Sequence, residues 1–150
     1  MTTTLLLRVL ERVHGHLGWL TVAALLHPAI FLRNPRRRAR LSVSLATGFC
    51  IVTALFGAYI YPEYRNRVKQ HIFIEVPKLG WMFERKEHLA VGAVALALAG
   101  CIAHLSLPVY TEDATRRNVA VLAHRAFVAA FLLAFAVAVL GVSVASYKSF

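Results

Sequence analysis

The sequence predicts an all-α fold, a transmembrane up-down four-helix bundle with one interfacial loop segment, and three observations predict it. The chain has 150 residues, is 59% hydrophobic and has a mean hydropathy of +0.62, which is too apolar for an ordinary soluble domain of this size. Its apolar residues form four runs long enough to cross a bilayer, which takes about 20 helical residues. Short connections separate the runs, with one exception, so a single domain over residues 1–150 is expected.

The four apolar runs set the predicted spans. An arginine-rich stretch ends the first run, and Pro62 and Pro108 follow the second and third. Charge and proline both end a membrane helix, so the runs stop there. The fourth run is longer than one crossing requires, which predicts a tilted helix or a protruding end. The spans cover about residues 13–32, 41–61, 88–107 and 118–147.

The long connection covers residues 62–87 and mixes aromatic with basic side chains. That mixture is typical of a segment lying at the membrane interface. Within it, residues 68–76 predict a short interfacial helix ended by Pro77.

The formal net charge of +10 is concentrated between the apolar runs. Phosphate headgroups explain such clusters, and the chain lacks the soluble basic face of a nucleic-acid binder, so no nucleic-acid partner is expected. We call the end with the termini and the long connection side A, and the end with the two short connections side B. Five arginines within residues 33–40 favour side B as cytoplasmic. The predicted location is a bacterial inner membrane, with both termini on the non-cytoplasmic side.

Histidines are the most informative polar residues, because five of the seven lie within or at the ends of apolar runs. A titratable ring is costly in hydrocarbon unless a partner satisfies it, and haem iron is one such partner. Counted at ~1.5 Å per helical residue, two levels emerge, one near each side. The side B level holds His27, His104 and His124, and the side A level holds His88 with His16 or His14.

Helical rotation adds a second test of these levels. His16 and His27 are eleven residues apart, so they emerge from one helix face about 16 Å apart along the axis. His14 and His27 are roughly 140° apart, which makes His14 the alternative to His16. His88 and His104 point about 160° away from each other on one helix, so His124 competes for the side B place.

Small and basic residues lie where a flat cofactor needs space and counter-charge. Gly48, Gly57 and Gly100 permit close approach of a macrocycle, or of another helix. Basic side chains near each level can pair with haem propionates, or extend to the interface instead. These basic residues are Arg33 and Arg125 near side B, and Arg85 and Lys86 near side A.

With His16 and His27 on one face and partner histidines on other helices, the chain resembles the four-helix membrane b-type cytochromes. That group includes cytochrome b561-like proteins and the haem-bearing membrane subunits of quinone-linked respiratory enzymes. The resemblance implies at least one haem b, and two by the histidine count, held between pairs of histidines. It implies an electron-transfer subunit of an oxidoreductase complex rather than a stand-alone enzyme, with other subunits and the lipid bilayer as partners.

The resemblance also implies quinone at one face, and the long connection offers polar groups for it, namely His71, Tyr64, Arg67 and Glu75. Two other functions stay open. A pigment-binding accessory subunit of a photosynthetic or respiratory assembly needs single histidines that face lipid or a partner. A cofactor-free accessory subunit needs no ligating histidine.

Overall fold

A computed structural model describes residues 2–107 and 114–146, and the side chains of the first helix from residue 5 onward. This part of the chain is helical almost throughout and contains no strand. A π-helical turn, Arg65–Lys69, joins the second helix to the third. The helices are α1 (Thr2–Phe31), α2 (Arg40–Tyr64), α3 (Gln70–Glu75), α4 (Pro77–Leu105) and α5 (Ala114–Ser146).

The expected interfacial loop at residues 62–87 is helical instead. The chain passes through Pro62 without leaving the helix and continues to Glu75. The predicted short helix at residues 68–76 corresponds to α3, which ends just before Pro77, and Pro77 then begins α4. Proline inside a helix loses one backbone hydrogen bond. Packing of Tyr64 and Val68 into a second hydrophobic cluster offsets that loss. We call residues 62–87 the helical hairpin.

The four long helices pack side by side in a ring, in which α1 and α4 each contact both α2 and α5. Interhelical contacts give the direction of each helix. The hydroxyl oxygens of Thr21 and Thr53 are 2.8 Å apart, and the Thr47 hydroxyl donates to the Ala97 carbonyl at 3.3 Å. Lower numbers on one helix meet higher numbers on its neighbour, so consecutive long helices are antiparallel.

A tightly packed core fills the middle of the ring. Leu25, Val43 and Phe127 are among its fully buried side chains. The rest of this core is rich in alanine, which lets the helix backbones approach closely.

Three of the described helical stretches are long and apolar enough to cross a membrane, namely residues 40–75, 77–105 and 114–146. The helix α1 is not among them. Large apolar side chains such as Leu55, Val91 and Ile102 are about two-thirds exposed or more on the outer surface. Such a surface is suited to contact with lipid.

Candidate functional site

The side B level holds histidines from three helices at a similar depth. His27 Nδ1 lies 2.7 Å from the Ser42 hydroxyl, and the Ala39 amide donates to His104 Nε2 at 3.2 Å. Because α4 and α5 are antiparallel and Gly100 lies opposite Ala126, position 104 lies opposite about position 122. His27, His104 and His124 therefore lie at about the same depth.

The three side B rings have different surroundings. His104 is buried, and its Nε2 is occupied by the Ala39 amide. His27 is exposed and stacks on Phe31 at 5.5 Å, and no described residue hydrogen-bonds its Nε2. His124 is half-buried, and its buried Nδ1 has no hydrogen-bond partner among the described residues.

On side A, His14 rather than His16 faces the neighbouring helices. The His14 ring is half-buried and stacks on Phe56 at 6.2 Å, whereas His16 is exposed. A Cβ atom at Gly57 would lie 2.9 Å from His14 Cε1, so the glycine makes room for this ring. The buried Nδ1 of His14 lacks a hydrogen-bond partner in the described part of the chain.

A seven-residue repeat explains why His14 faces inward. It follows buried Leu7 by seven residues and precedes buried Thr21 by seven, and Pro28, seven further on, is fully buried. Residues seven apart lie on nearly the same face of a helix, since two turns take about 7.2 residues. The sequence does not distinguish this face from the one through His16, since the residues at seven-residue spacing from His16 are apolar as well (Val9, Ala23 and Ile30). Only the burial of Leu7, Thr21 and Pro28 identifies His14.

His88 lies on α4 and is exposed. Its Nδ1 lies 2.8 Å from the Glu84 carbonyl oxygen of the preceding turn, and none of the described residues hydrogen-bonds its Nε2. A ring held in this way through Nδ1 presents Nε2 outward, which is the arrangement metal-bound histidines usually have.

The predicted glycines and basic residues have mixed roles. A Cβ placed at Gly100 would lie 3.0 Å from the Phe127 ring, so this glycine permits close helix contact, whereas nothing lies within 4 Å of a Cβ placed at Gly48. Lys86 Nζ lies 4.6 Å above the Phe83 ring. The remaining predicted propionate partners, Arg33, Arg85 and Arg125, are exposed.

The four residues predicted for quinone are spread over the hairpin rather than gathered into one pocket. Tyr64 is buried and stacks on Phe83 at 5.1 Å, and Arg67 pairs with Glu63 one turn before it. His71 and Glu75 are exposed on α3.

A charged cluster in the hairpin was not predicted from the sequence. Lys69 Nζ contacts Glu84 Oε1 at 2.5 Å and Glu87 Oε2 at 3.0 Å, and it donates to the Tyr61 hydroxyl at 3.1 Å. Burial alone lowers the pKa of Lys69, but these hydrogen bonds outweigh it and raise the pKa above its usual value. The hydrogen bond from Lys69 lowers the pKa of Glu84.

Haem can be tested against these residues in two respects, donors and space. The donors fit, because each level has a half-buried histidine with an unpartnered Nδ1, His14 on side A and His124 on side B. An unsatisfied buried nitrogen costs about 1–3 kcal/mol, so a partner such as a metal ion would stabilise either ring. Space is restricted, because packed side chains fill the middle of the ring. Within the described residues, no three His, Cys, Asp or Glu side chains converge on a metal position.

Comparison of the chain with protein-family models, with curated proteins and with solved structures finds no match.

Proposed function

We propose that the chain is a membrane-embedded b-type cytochrome subunit, a transmembrane four-helix bundle that transfers electrons through haem held by pairs of histidines. The observation that carries the proposal is the pair of buried, unpartnered imidazole nitrogens, His14 Nδ1 and His124 Nδ1. They lie at opposite ends of the ring, one at each histidine level. A polar ring in an apolar bundle is functional by default, and two such rings at separate levels support two haems.

The chain's own residues suggest how each haem would be held. On side A, His14 and His88 would serve, and His88 is already oriented through the Glu84 carbonyl. On side B, His124 would pair with His27, which is oriented through Ser42, or with His104, which would first release the Ala39 amide. Bound haem supplies one-electron chemistry, and two histidine ligands leave its iron no open position for oxygen. The filled core would keep the two levels apart.

Quinone is the proposed electron partner, at the helical hairpin on side A. The support is chemical: the hairpin contains exposed polar side chains, His71 among them, together with aromatic residues, at the predicted membrane interface. Other subunits of a redox complex in a bacterial inner membrane would supply or consume the electrons.

Absorption spectra of the purified protein, oxidised and dithionite-reduced, test the proposal. We expect a sharp reduced band of the b type, and loss of about half the haem in His14→Ala and in His124→Ala. His71→Ala is the matched control, because this exposed ring lies at neither level, and it should retain full haem. Full haem content in both His14→Ala and His124→Ala would contradict the proposal. So would the absence of haem from the protein when haem is supplied during expression.

A second candidate function is favoured by the outer surface. His16 and His27 are both exposed, as is His88, and single outward histidines suit a pigment-binding accessory subunit that ligates one chlorin each. The same spectra separate the two functions. Absorption in the red that is lost in His16→Ala and kept in His14→Ala would select the pigment-binding function. A colourless protein would leave the cofactor-free accessory subunit.

A further inference from the structure

An open cleft of about 320 Å³ lies on side B, where the chain turns at the end of α1. Its lining is apolar at Ile30 and Phe31 and polar at Arg33, Asn34 and Arg37. One water molecule takes about 30 Å³ of liquid, so a phosphate group fits in the cleft with room to spare. Ile30 is 65% exposed, so the apolar part of the lining continues onto the outer surface of α1. The cleft therefore offers positive charge next to apolar surface.

The fold holds the Arg37 side chain in position at this cleft. Its guanidinium group lies over the Phe31 ring, 4.7 Å from the ring centre, and the Arg37 amide donates to the Asn34 carbonyl at 3.0 Å. The His27 ring also stacks on Phe31, at 5.5 Å, and His27 Nδ1 lies 2.7 Å from the Ser42 hydroxyl. A guanidinium group that stacks on an aromatic ring keeps its N–H groups free, in its own plane, for an anion. Because the side chain is already held, it loses less conformational freedom when an anion binds.

The charge of the cleft is not neutralised by the described residues. Neither Arg33 nor Arg37 forms an ion pair with an acidic residue in that part of the chain. The C-terminus of α1 attracts cations, but it carries only about half a negative charge, whereas the two guanidinium groups carry two positive charges. Within the described residues, the cleft therefore has positive charge in excess. All acidic residues of this part of the chain lie on side A, namely Glu11, Glu63, Glu75, Glu84 and Glu87.

The position of the cleft favours a lipid as its ligand. The helix α1 packs against α2 and α5, both of which are apolar enough to cross a membrane, and the cleft lies at the side B end of α1. Exposed Leu20, Ala23 and Ile30 lie on one face of α1 that leads to the cleft. A phosphate at the end of the helix and an acyl chain along this face match the two parts of a phospholipid.

We propose that this cleft binds the phosphate of an anionic phospholipid. Arg33 and Arg37 contact the phosphate oxygens, since a guanidinium group offers them two parallel N–H donors. Phe31 holds Arg37 in position, and an acyl chain lies along the outer face of α1. Because two arginines share one phosphate, a headgroup without an ammonium group of its own is preferred.

Binding of short-chain lipids to the purified protein in a neutral detergent, measured by native mass spectrometry, tests the proposal. We expect phosphatidylglycerol to bind at least about tenfold more tightly than phosphatidylcholine of the same chain length. The double variant Arg33→Gln/Arg37→Gln should lose about tenfold of the phosphatidylglycerol affinity. The matched control, Arg36→Gln/Arg40→Gln, removes the same charge from the same stretch of chain outside this cleft, and should lose less than about threefold.

A second variant tests the cleft without changing its charge, and it keeps the test open if the double variant does not fold. Phe31→Leu removes the ring that positions Arg37, and should lose about threefold of the phosphatidylglycerol affinity. Its control is Phe49→Leu, which removes a ring that is 40% exposed on α2 outside the cleft. Phe49→Leu should leave the affinity unchanged.

Three results would overturn the proposal. The first is equal binding of the two lipids, or equal losses in the cleft and control variants. The second is binding of inorganic phosphate as tight as that of phosphatidylglycerol, which would identify a free oxyanion as the ligand. The third is a lower haem content in Arg33→Gln/Arg37→Gln with unchanged lipid binding, which would assign both arginines to haem propionates.

Discussion

The two ends of the helix ring handle a positive charge excess in different ways. The helical hairpin on side A contains six basic and four acidic residues, and its most buried cation, Lys69, contacts two of those acids. The side B connections contain seven arginines and two acids. Their arginines line clefts at the protein surface. The sequence of side A therefore offers more acidic partners for its basic residues than the sequence of the side B connections does.

Packing follows the same division. A small cluster of Tyr64, Val68, Leu79, Phe83 and Val144 holds the hairpin together, and a larger core fills the ring towards side B. The stretch from Arg40 to Glu75 is 36 residues long, or about 54 Å at 1.5 Å per residue. A hydrocarbon layer is about 30 Å thick, so the hairpin extends beyond it. Side A thus has a hydrophobic cluster of its own, which Val144 connects to α5.

The same substitution in the two clusters gives the largest expected effects. Phe127→Ala should destabilise the protein by about 3–5 kcal/mol, because Phe127 is fully buried and packs on Gly100. Phe83→Ala should lower the free energy of global unfolding by less, because it removes packing only from the hairpin cluster. Its main effect should be easier local opening of the hairpin. Detergent unfolding measures the first effect, and amide hydrogen exchange over residues 62–87 measures the second.

Leu132→Ala is the control for this comparison, because Leu132 lies on the same helix as Phe127 and is 56% exposed. Leu132→Ala should lower the free energy of unfolding by less than about 1 kcal/mol. Equal global losses for Phe127→Ala and Phe83→Ala would show that the two clusters unfold as one unit.

Removing the hairpin cation should have an intermediate effect. Lys69→Met keeps most of the side-chain length but leaves Glu84 and Glu87 side by side, and should cost roughly 1–2 kcal/mol since both acids are partly exposed. Lys78→Met is the control, because Lys78 is exposed in the same hairpin. Thermal unfolding of the two variants checks the difference.

The stability of the hairpin should also depend on pH, in a direction set by Glu84 and Lys69. The lowered pKa of Glu84 provides stability that is present above its usual value, about 4.3, and is lost as the pH falls through the folded value. The raised pKa of Lys69 provides stability that is lost only as the pH rises above about 10.4. The stability of the hairpin should therefore be constant between about pH 5 and 10 and should decrease at lower pH. In Lys69→Met, most of this decrease at low pH should be absent. If the loss of stability at low pH is the same in Lys69→Met as in the unaltered protein, the charged cluster contributes little to stability.

Much of the helical architecture follows from the sequence, because long apolar runs leave few alternatives to helices. The second predicted span lies within α2, the third lies within α4 except for its last two residues, Ser106 and Leu107, and the fourth lies within α5 apart from Tyr147, which is outside the described residues. The hairpin was not predicted, because the local effect of Pro62 was weighed without the packing of Tyr64 and Val68 that outweighs it. Tertiary contacts of that kind cannot be read from one segment alone.

The histidine levels show a similar limit. The depth of a histidine can be counted along its helix. The rotation of the helix about its axis, which decides where the ring points, depends on the helices that pack against it. The predicted preference for His16 used its angle to His27, whereas the buried face of α1 passes through Leu7, His14 and Thr21. The cleft at side B needed the fold as well, because only the turn after α1 places Arg37 over the Phe31 ring.

The smallest expected effect has the opposite sign to that of Lys69→Met. Arg117 is exposed in the first turn of α5, where its charge opposes the positive helix end. Arg117→Gln should therefore stabilise the protein by about 0.3–1 kcal/mol at low ionic strength. The gain should vanish in about 1 M salt, where charges are screened beyond roughly 3 Å. Thermal unfolding at the two salt concentrations measures it, and a loss of stability at low salt would mean that Arg117 is stabilised within the fold, as Lys69 is.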